Sequence, residues 1–329
     1  MKTVRRVLVT GANGFVGSAL TRLLITEGYQ VSMTGNARPE SLVALGANWI
    51  PMPDLTEEVD WLPVLDGVEA VVHLAAIAHR RESNSDTEQA LYDRVNHRAT
   101  RSLAQAIGKC PHIKRFLFMS SVRVHGDPLA FPIREESPLA PVTPYDQSKV
   151  DAEMAIRECL PPESLRWGIL RPAVIYGPGN RGNMAKLEGL LRKGIPVPLG
   201  LQPNRRSFLY LGNVISAIEA FLSHPAPPSG HTWVLADEEP SSTEALVIAM
   251  ADAMGIRPKR LHLPQGLLST TARLGDLVRA AGLPAPWNTE VRQKLLGDFW
   301  LDISAIKQDL GWRPPFSQED GIRQTYQTP

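Results

Sequence analysis

Cysteine is nearly absent from this chain: Cys110 and Cys159 are its only two. Two thiols are too few for a disulfide framework or a cysteine-rich metal site, which fits a reducing compartment and predicts ordinary thiols at both positions. Charge of one sign is not in excess either, since 35 Lys and Arg stand against 34 Asp and Glu. Net charge therefore supplies no field to draw the chain to nucleic acid or to an anionic membrane, and the expected ligand is small. No apolar run is long enough to span a bilayer, so membrane insertion is not expected. The opening Met1-Lys2-Thr3-Val4-Arg5-Arg6 faintly imitates a signal peptide, but glycines and Asn13 interrupt the apolar run that follows within a few positions. No metal-ligand cluster, internal repeat, low-complexity tract or floppy linker occurs, and Pro225 to Gly230 reads as an ordinary surface connection. A soluble, cytoplasmic chain is expected, and at 329 residues it exceeds the usual single-domain size, which predicts two lobes.

Glycine, by contrast, is present in a telling place. The stretch Val7-Leu8-Val9-Thr10-Gly11-Ala12-Asn13-Gly14-Phe15-Val16-Gly17-Ser18 is an apolar run leading into glycines three apart. It predicts a buried strand turning tightly into a helix that starts near Gly14, a turn whose free N–H groups and helix dipole suit a pyrophosphate. Alternating β-branched runs and helical periods continue to about His125, which predicts parallel strands at 5–10, 30–34, 47–51, 69–74 and 114–120. Dinucleotide folds usually carry an acid after the second strand to bind the adenosine ribose. Here Gly35 and Asn36 stand there with Arg38 beyond, which favours NADP(H) over NAD(H), because an arginine pairs with a 2′-phosphate. Asp54-Leu55 and His73-Leu74-Ala75-Ala76 fall at the same carboxyl edge, where small residues admit a cofactor; His73 itself reads as an interior histidine without chemistry. A segment of helical period from about Thr87 to Lys109 carries Asn96, which is locally disfavoured in a helix.

The fifth strand delivers Ser120 and Ser121 to that edge, and Tyr145 and Lys149 follow four residues apart. On a helix this spacing puts phenol and ammonium on one face, where the cation is expected to lower the phenol's pKa toward working pH and make it a proton donor.

At this point the chain resembles the extended short-chain dehydrogenase/reductase family over nearly its whole length. The motifs that carry the resemblance are Thr10 to Gly17, His73 to Ala76, Ser120 to Gly126, Pro144 to Lys149 and Leu170-Arg171-Pro172 through Gly179. The resemblance implies an α/β fold, a Rossmann-like doubly wound parallel sheet with a smaller C-terminal α/β substrate lobe. We expect 1–172 with about 207–236 to bind dinucleotide, and about 173–206 with 237–329 to bind substrate. Tyr145 would be the general acid/base, Lys149 would bind the nicotinamide ribose and tune Tyr145, and Ser121 would hydrogen-bond the reacting oxygen. Cofactor contacts are expected from Gly11, Asn13, Gly14, Phe15, Val16, Gly17, Arg38, Asp54 and Leu55, and also from Leu74, Ala75, Ala76, Asn96, Tyr145, Lys149 and Pro172. Substrate contacts are expected from Ser121, Arg123, His125, Asn183 and Arg206, the last gripping a nucleotide diphosphate. His125 replaces the family's usual tyrosine, and Val174 replaces an asparagine that touches sugar in many epimerases, so the sugar contacts must differ. The resemblance points to an NAD(P)-dependent enzyme acting on a nucleotide-diphosphate sugar without a metal. The leading expectation is reduction of a 4-keto-6-deoxy sugar. The alternatives are a 4-epimerase of UDP-hexose or UDP-N-acetylhexosamine with tightly bound NAD, and a non-catalytic dinucleotide sensor. A homodimer is compatible with all three.

Overall fold

Residues 4–51, 54–78, 86–127, 130–163, 165–180 and 182–327 are described in the structure, a computed structural model. The strands are β1 (Arg6–Thr10), β2 (Gln30–Thr34), β3 (Asn48–Trp49), β4 (Ala70–His73), β5 (Arg115–Met119), β6 (Arg166–Pro172), β7 (Val174–Tyr176), β8 (Val197–Gly200), β9 (Phe208–Tyr210), β10 (His231–Leu235) and β11 (Arg260–Leu263). Seven of them form one sheet in the order β10-β6-β5-β4-β1-β2-β3, with every neighbouring pair parallel. This is the expected Rossmann-like, doubly wound arrangement. Its winding reverses between β1 and β4, where Thr10 pairs with Thr34 on one side and with His73 on the other. A crevice opens at such a point, beyond the carboxyl ends of the strands.

The continuous apolar runs follow from helices on both faces. Val7 and Val9 face the Phe15–Thr26 and Leu211–Ser223 helices through Leu20, Leu24, Val214 and Phe221. Leu8 and Val71 face the opposite layer, formed by Leu103 and Ile107 of the Ala99–Gly108 helix and Ile156 of the Pro144–Cys159 helix. Beyond the sheet, β7 pairs with β9 and β8 with β11, and a third core gathers Tyr176, Leu187, Phe208, Val247 and Met250.

Two elements depart from expectation. The strand expected at 47–51 shrinks to Asn48–Trp49, because it lies at the sheet edge and runs into Pro51. The helix expected over 87–109 is three pieces: Asp86–Tyr92, a π-helical turn over Asp93–Arg98, and Ala99–Gly108. Asn96 lies in the π turn, so the residue that helix propensity disfavours sits where the regular ladder is interrupted. Among the described residues no helix is long and apolar enough to cross a membrane.

Candidate active site

The glycine turn is built for backbone approach. Gly11 adopts φ +69°, and a Cβ there would lie 2.8 Å from the Ala75 nitrogen, so the loop presses directly against the segment after β4. A Cβ on Gly17 would lie 2.2 Å from the Gly11 carbonyl oxygen, so helix and loop can touch only without a side chain. The Phe15–Thr26 helix has Gly14 at its N-cap, with no side-chain cap and no acid in its first turn. Its leading N–H groups and dipole suit an anion. A pyrophosphate therefore fits this cradle, which brings together Gly11, Asn13, Gly14, Phe15, Val16 and Gly17.

The adenosine side reads differently from expectation. A Cβ on Gly35 would lie 2.1 Å from Asn13 Oδ1, so the Asn13 side chain occupies the room assigned to a 2′-phosphate. Arg38 is exposed and paired with Glu40 at 3.1 Å. The NADP(H) preference thus loses its structural basis. Asp54 is exposed and closes a local turn, accepting from the Thr56 backbone N–H at 2.9 Å and hydroxyl at 2.8 Å, while Leu55 packs against the sheet core. Ala75 is buried and Leu74 and Ala76 follow β4 at the crevice.

The helix carrying Tyr145 and Lys149 starts where a capping box fixes it. Thr143 Oγ1 accepts from the Asp146 N–H, Asp146 accepts from the Thr143 N–H, and Pro144 takes the first helical position. Arg123 clamps the same carboxylate, with Nη2 3.1 Å from Asp146 Oδ2, and also approaches Asp127 at 3.8 Å. Ser121 begins a 3-10 turn over Val122–His125 and accepts the Arg123 N–H at 3.2 Å. Tyr145 and Ser121 are hydrogen-bonded, and the Tyr92 ring meets the Tyr145 ring edge-on at 6.0 Å.

The electrostatics overturn one expectation. Burial pushes the Tyr145 phenol up to about 12, and the Ser121 hydrogen bond pulls the other way without compensating. Lys149 directs its ammonium to β5. Its Nζ donates to the Met119 carbonyl at 2.9 Å and lies 4.7 Å from the Phe118 ring centroid. At 3% exposure, the Lys149 ammonium is itself pushed down to about 8 by burial. The phenol therefore holds its proton at neutral pH, ready as an acid.

His125 is corrected as well. It is buried, with Nδ1 3.1 Å from the Pro138 carbonyl and Nε2 3.2 Å from Arg171 Nη1, so it serves the interior instead of a substrate. Burial and Arg171 hold its pKa down, so Nδ1–H donates to Pro138 and Nε2 accepts. Arg171 meets Glu153 with two bonds, Nε to Oε1 at 3.0 Å and Nη2 to Oε2 at 2.6 Å, and Ser120 Oγ donates to the same carboxylate at 2.6 Å. This pair ties the Tyr145 helix to β6. Glu153 lies eight residues after Tyr145, and the pair was not singled out from sequence, although Arg171 sits inside a quoted motif.

Asn96 makes its contacts inside the protein. Its side chain pairs with both backbone groups of Ile77, at 2.9 and 3.0 Å, and donates to Ser148 Oγ at 3.0 Å, which donates to the Tyr145 carbonyl at 2.8 Å. These bonds tie the Tyr145 helix to the segment after β4. A second chain runs from Thr10 Oγ1 to His73 Nδ1 at 2.7 Å, from His73 Nε2 to Thr100 Oγ1 at 3.0 Å, and from Thr100 to the Asn96 carbonyl at 2.6 Å. His73 is neutral, pushed down to about 3 by burial and by Lys149.

Ser121, Arg123, Pro172 and Arg206 meet around one cavity of about 210 Å³, with Val174 on its wall. Arg206 Nη1 donates to the Gly297 carbonyl at 2.6 Å, and burial lowers its pKa to about 10, which leaves it charged. Asn183 opens the Asn183–Arg192 helix as expected, while neighbouring Arg181 lies outside the described residues. Thr243, Gln293, Lys294 and Asp298 complete the wall. No motif marks these four, because they come from separate C-terminal elements that only the fold brings together.

A model of the NAD dependent epimerase/dehydratase family matches residues 7–236. A UDP-glucose 4-epimerase of Vibrio cholerae is 30% identical over 335 residues, spanning 99% of this chain and 96% of the relative. The N-acetyl-alpha-D-glucosaminyl-diphospho-ditrans,octacis-undecaprenol 4-epimerase of Escherichia coli O157:H7 is 31% identical over 325 residues, spanning 98% and 94%. Among solved structures, UDP-glucuronic acid 4-epimerase from Bacillus cereus in complex with NAD matches with a TM-score of 0.76 at 21% identity, covering 98% of this chain and 96% of that one. At that identity the likeness speaks for the fold.

Proposed function

Because this chain belongs to the NAD dependent epimerase/dehydratase family, we propose that it is a 4-epimerase that inverts one hydroxyl of a UDP-linked sugar with a resident NAD. The observation that carries the reading is the cavity at the sheet's carboxyl edge, where two guanidiniums, Arg123 and Arg206, share a wall with Ser121. Guanidiniums suit a diphosphate, and the Ser121–Tyr145 pair suits a hydroxyl that must lose and regain a proton. We propose that residues 1–172 with about 207–236 hold the dinucleotide and that the remaining C-terminal segments recognise the sugar. The 4-epimerase names of two relatives and the loss of the 2′-phosphate argument both favour epimerase over the reductase expected from sequence.

The glycine cradle, the Phe15–Thr26 helix N-terminus and Lys149 would hold NAD. When bound, NAD supplies a hydride acceptor that is also the donor on return. Ser121 Oγ holds the reacting oxygen. Tyr145 Oη exchanges the proton with that oxygen, and any positive charge brought beside the phenol lowers its pKa and helps it act as a base. Hydrogen leaves and returns to the same sugar, so the cycle has no net redox change. Val174 puts an apolar group on the cavity wall, so the sugar is recognised without the family's asparagine.

The test is incubation of the purified protein with UDP-glucose and with UDP-N-acetylglucosamine, following the C4 epimer by NMR and reduced nicotinamide by absorbance. Epimer formation without net nicotinamide change supports the proposal. Stoichiometric oxidation of NADPH by a 4-keto nucleotide sugar, without epimer, would restore the reductase. Binding of NAD with no turnover of any nucleotide sugar would leave a sensor.

A further inference from the structure

The Gln265–Ala280 helix is apolar on two opposed faces. One face is firmly seated: Leu268 and Ala272 are buried, a Cβ on Gly275 would lie 1.8 Å from the Trp287 carbonyl oxygen, and Trp287 Nε1 donates to Thr271 Oγ1 at 3.1 Å. At about 100° per residue, Leu267, Leu274, Leu277 and Val278 fall within about 100° of arc on the other side. That side is open to solvent, with Leu277 67% and Leu274 56% exposed; Leu283 just past the helix is 60% exposed. Such a stripe does nothing for the stability of an isolated chain, and contiguous exposed apolar surface marks a contact.

Charge identifies the occupant. Residues 255–297 carry seven Lys and Arg against two acids, net +5 in a chain whose total is +1, so the remainder is −4. Some of these cations are already paired: Arg260 with Glu244 at 2.9 Å, and Arg279 and Lys294 with Glu290 at 3.1 and 2.5 Å. Arg257, Lys259, Arg273 and Arg292 make no ion pair among the described residues. Arg273 flanks the leucine arc at the helical spacing, and an anionic bilayer offers acyl chains to the leucines and phosphates to Arg273 and to the cations of the surrounding segment. We propose that the outer face of the Gln265–Ala280 helix docks this protein on an anionic lipid surface, lying on it without crossing it. The neighbouring Thr289–Leu296 helix supplies Gln293, Lys294 and Leu295 to the cavity wall, so the docking face and the site share one helix pair.

The experiment is co-sedimentation of the full chain with vesicles of phosphatidylcholine alone and of phosphatidylcholine with about one third phosphatidylglycerol. It needs no substrate, so its failure leaves the proposed activity untouched, and failure of that activity leaves the docking untouched. The wild type should sediment with the anionic vesicles and be released by salt of about 0.5 M. Leu274→Glu with Leu277→Glu should cut binding at least about ten-fold, and Arg273→Glu should weaken it several-fold. All three side chains are exposed, so unchanged melting temperatures certify the fold of the variants. Absence of binding to anionic vesicles overturns the proposal, as does equal binding of wild type and the leucine variant. Self-association in ultracentrifugation, abolished by the leucine variant and unaccompanied by vesicle binding, would make the face a contact between copies and would overturn it too.

Discussion

Replacing Lys149 by methionine should make this protein more stable while it loses activity. Lys149 is 3% exposed, and its ammonium is pushed from an ordinary 10.5 down to about 8. A depression of that size corresponds to about 3 kcal/mol of strain in the charged form at neutral pH. Below pH 8 the folded and unfolded chains both carry the proton, so the penalty is complete. Between about pH 8 and 10.5 the folded chain releases the proton first, and stability rises with pH. Lys149→Met removes the penalty but gives up the bond to the Met119 carbonyl, worth about 1 kcal/mol, so the net gain at pH 7 is about 2 kcal/mol. Unfolding entropy for a chain of 329 residues is about 0.7 kcal/mol per kelvin, which makes the expected rise in Tm about 3 °C. Calorimetry of both proteins at pH 7, 8.5 and 10 decides the matter, because other titrating groups cancel in the difference. The variant should melt higher at pH 7, and the two should converge near pH 10. A variant that melts lower at pH 7, or a gap that ignores pH, would refute the picture of a strained, buried ammonium.

Tyr145→Phe should lower kcat by about 10²–10⁴-fold with NAD affinity within about three-fold, measured by turnover and by titration, since one proton and little volume are lost. Arg171→Met leaves Glu153 buried without its partner and should cost about 3–5 kcal/mol, seen as a drop in Tm of about 4–7 °C. Arg38→Ala should change neither NAD nor NADP affinity by more than about two-fold, because the Asn13 side chain fills the space beside Gly35 where a 2′-phosphate would have to sit. A selective ten-fold loss of NADP binding would restore the 2′-phosphate reading.

Sequence was legible where chemistry and geometry are local. Glycines at 11, 14 and 17 announced a turn, and Tyr145 with Lys149 announced a shared helix face, because both patterns are written within one turn of chain. Lys149's actual partner was not legible, since the Met119 carbonyl belongs to a strand thirty residues away. His125 looked like a substrate contact until β6 brought Arg171 onto its ring. Arg38 looked free because an exposed salt bridge to Glu40 leaves no trace beyond proximity. Net charge misled in a different way: a sum of +1 hides a basic C-terminal segment balanced by an acidic remainder. The cavity wall drew on residues from 121 to 299, a span that no spacing rule covers.

The hydrogen-bonded chain through His73 has a fixed polarity. At one end Thr10 Oγ1 accepts the N–H groups of Leu74 and Ala75, so its own proton must point to His73 Nδ1. At the other, Thr100 gives its proton to a backbone carbonyl, so the imidazole proton must sit on Nε2. Both ends stop at peptide groups that neither take up nor release protons near neutral pH. A histidine at the heart of a hydride-transfer fold invites a relay role, yet this one is wired as a dead end. No proton can therefore be relayed through His73 from one end of this chain to the other, and the sheet interior at this point behaves as an insulator. Exchange of the His73 ring proton with solvent should accordingly be slow, since it needs the sheet itself to open.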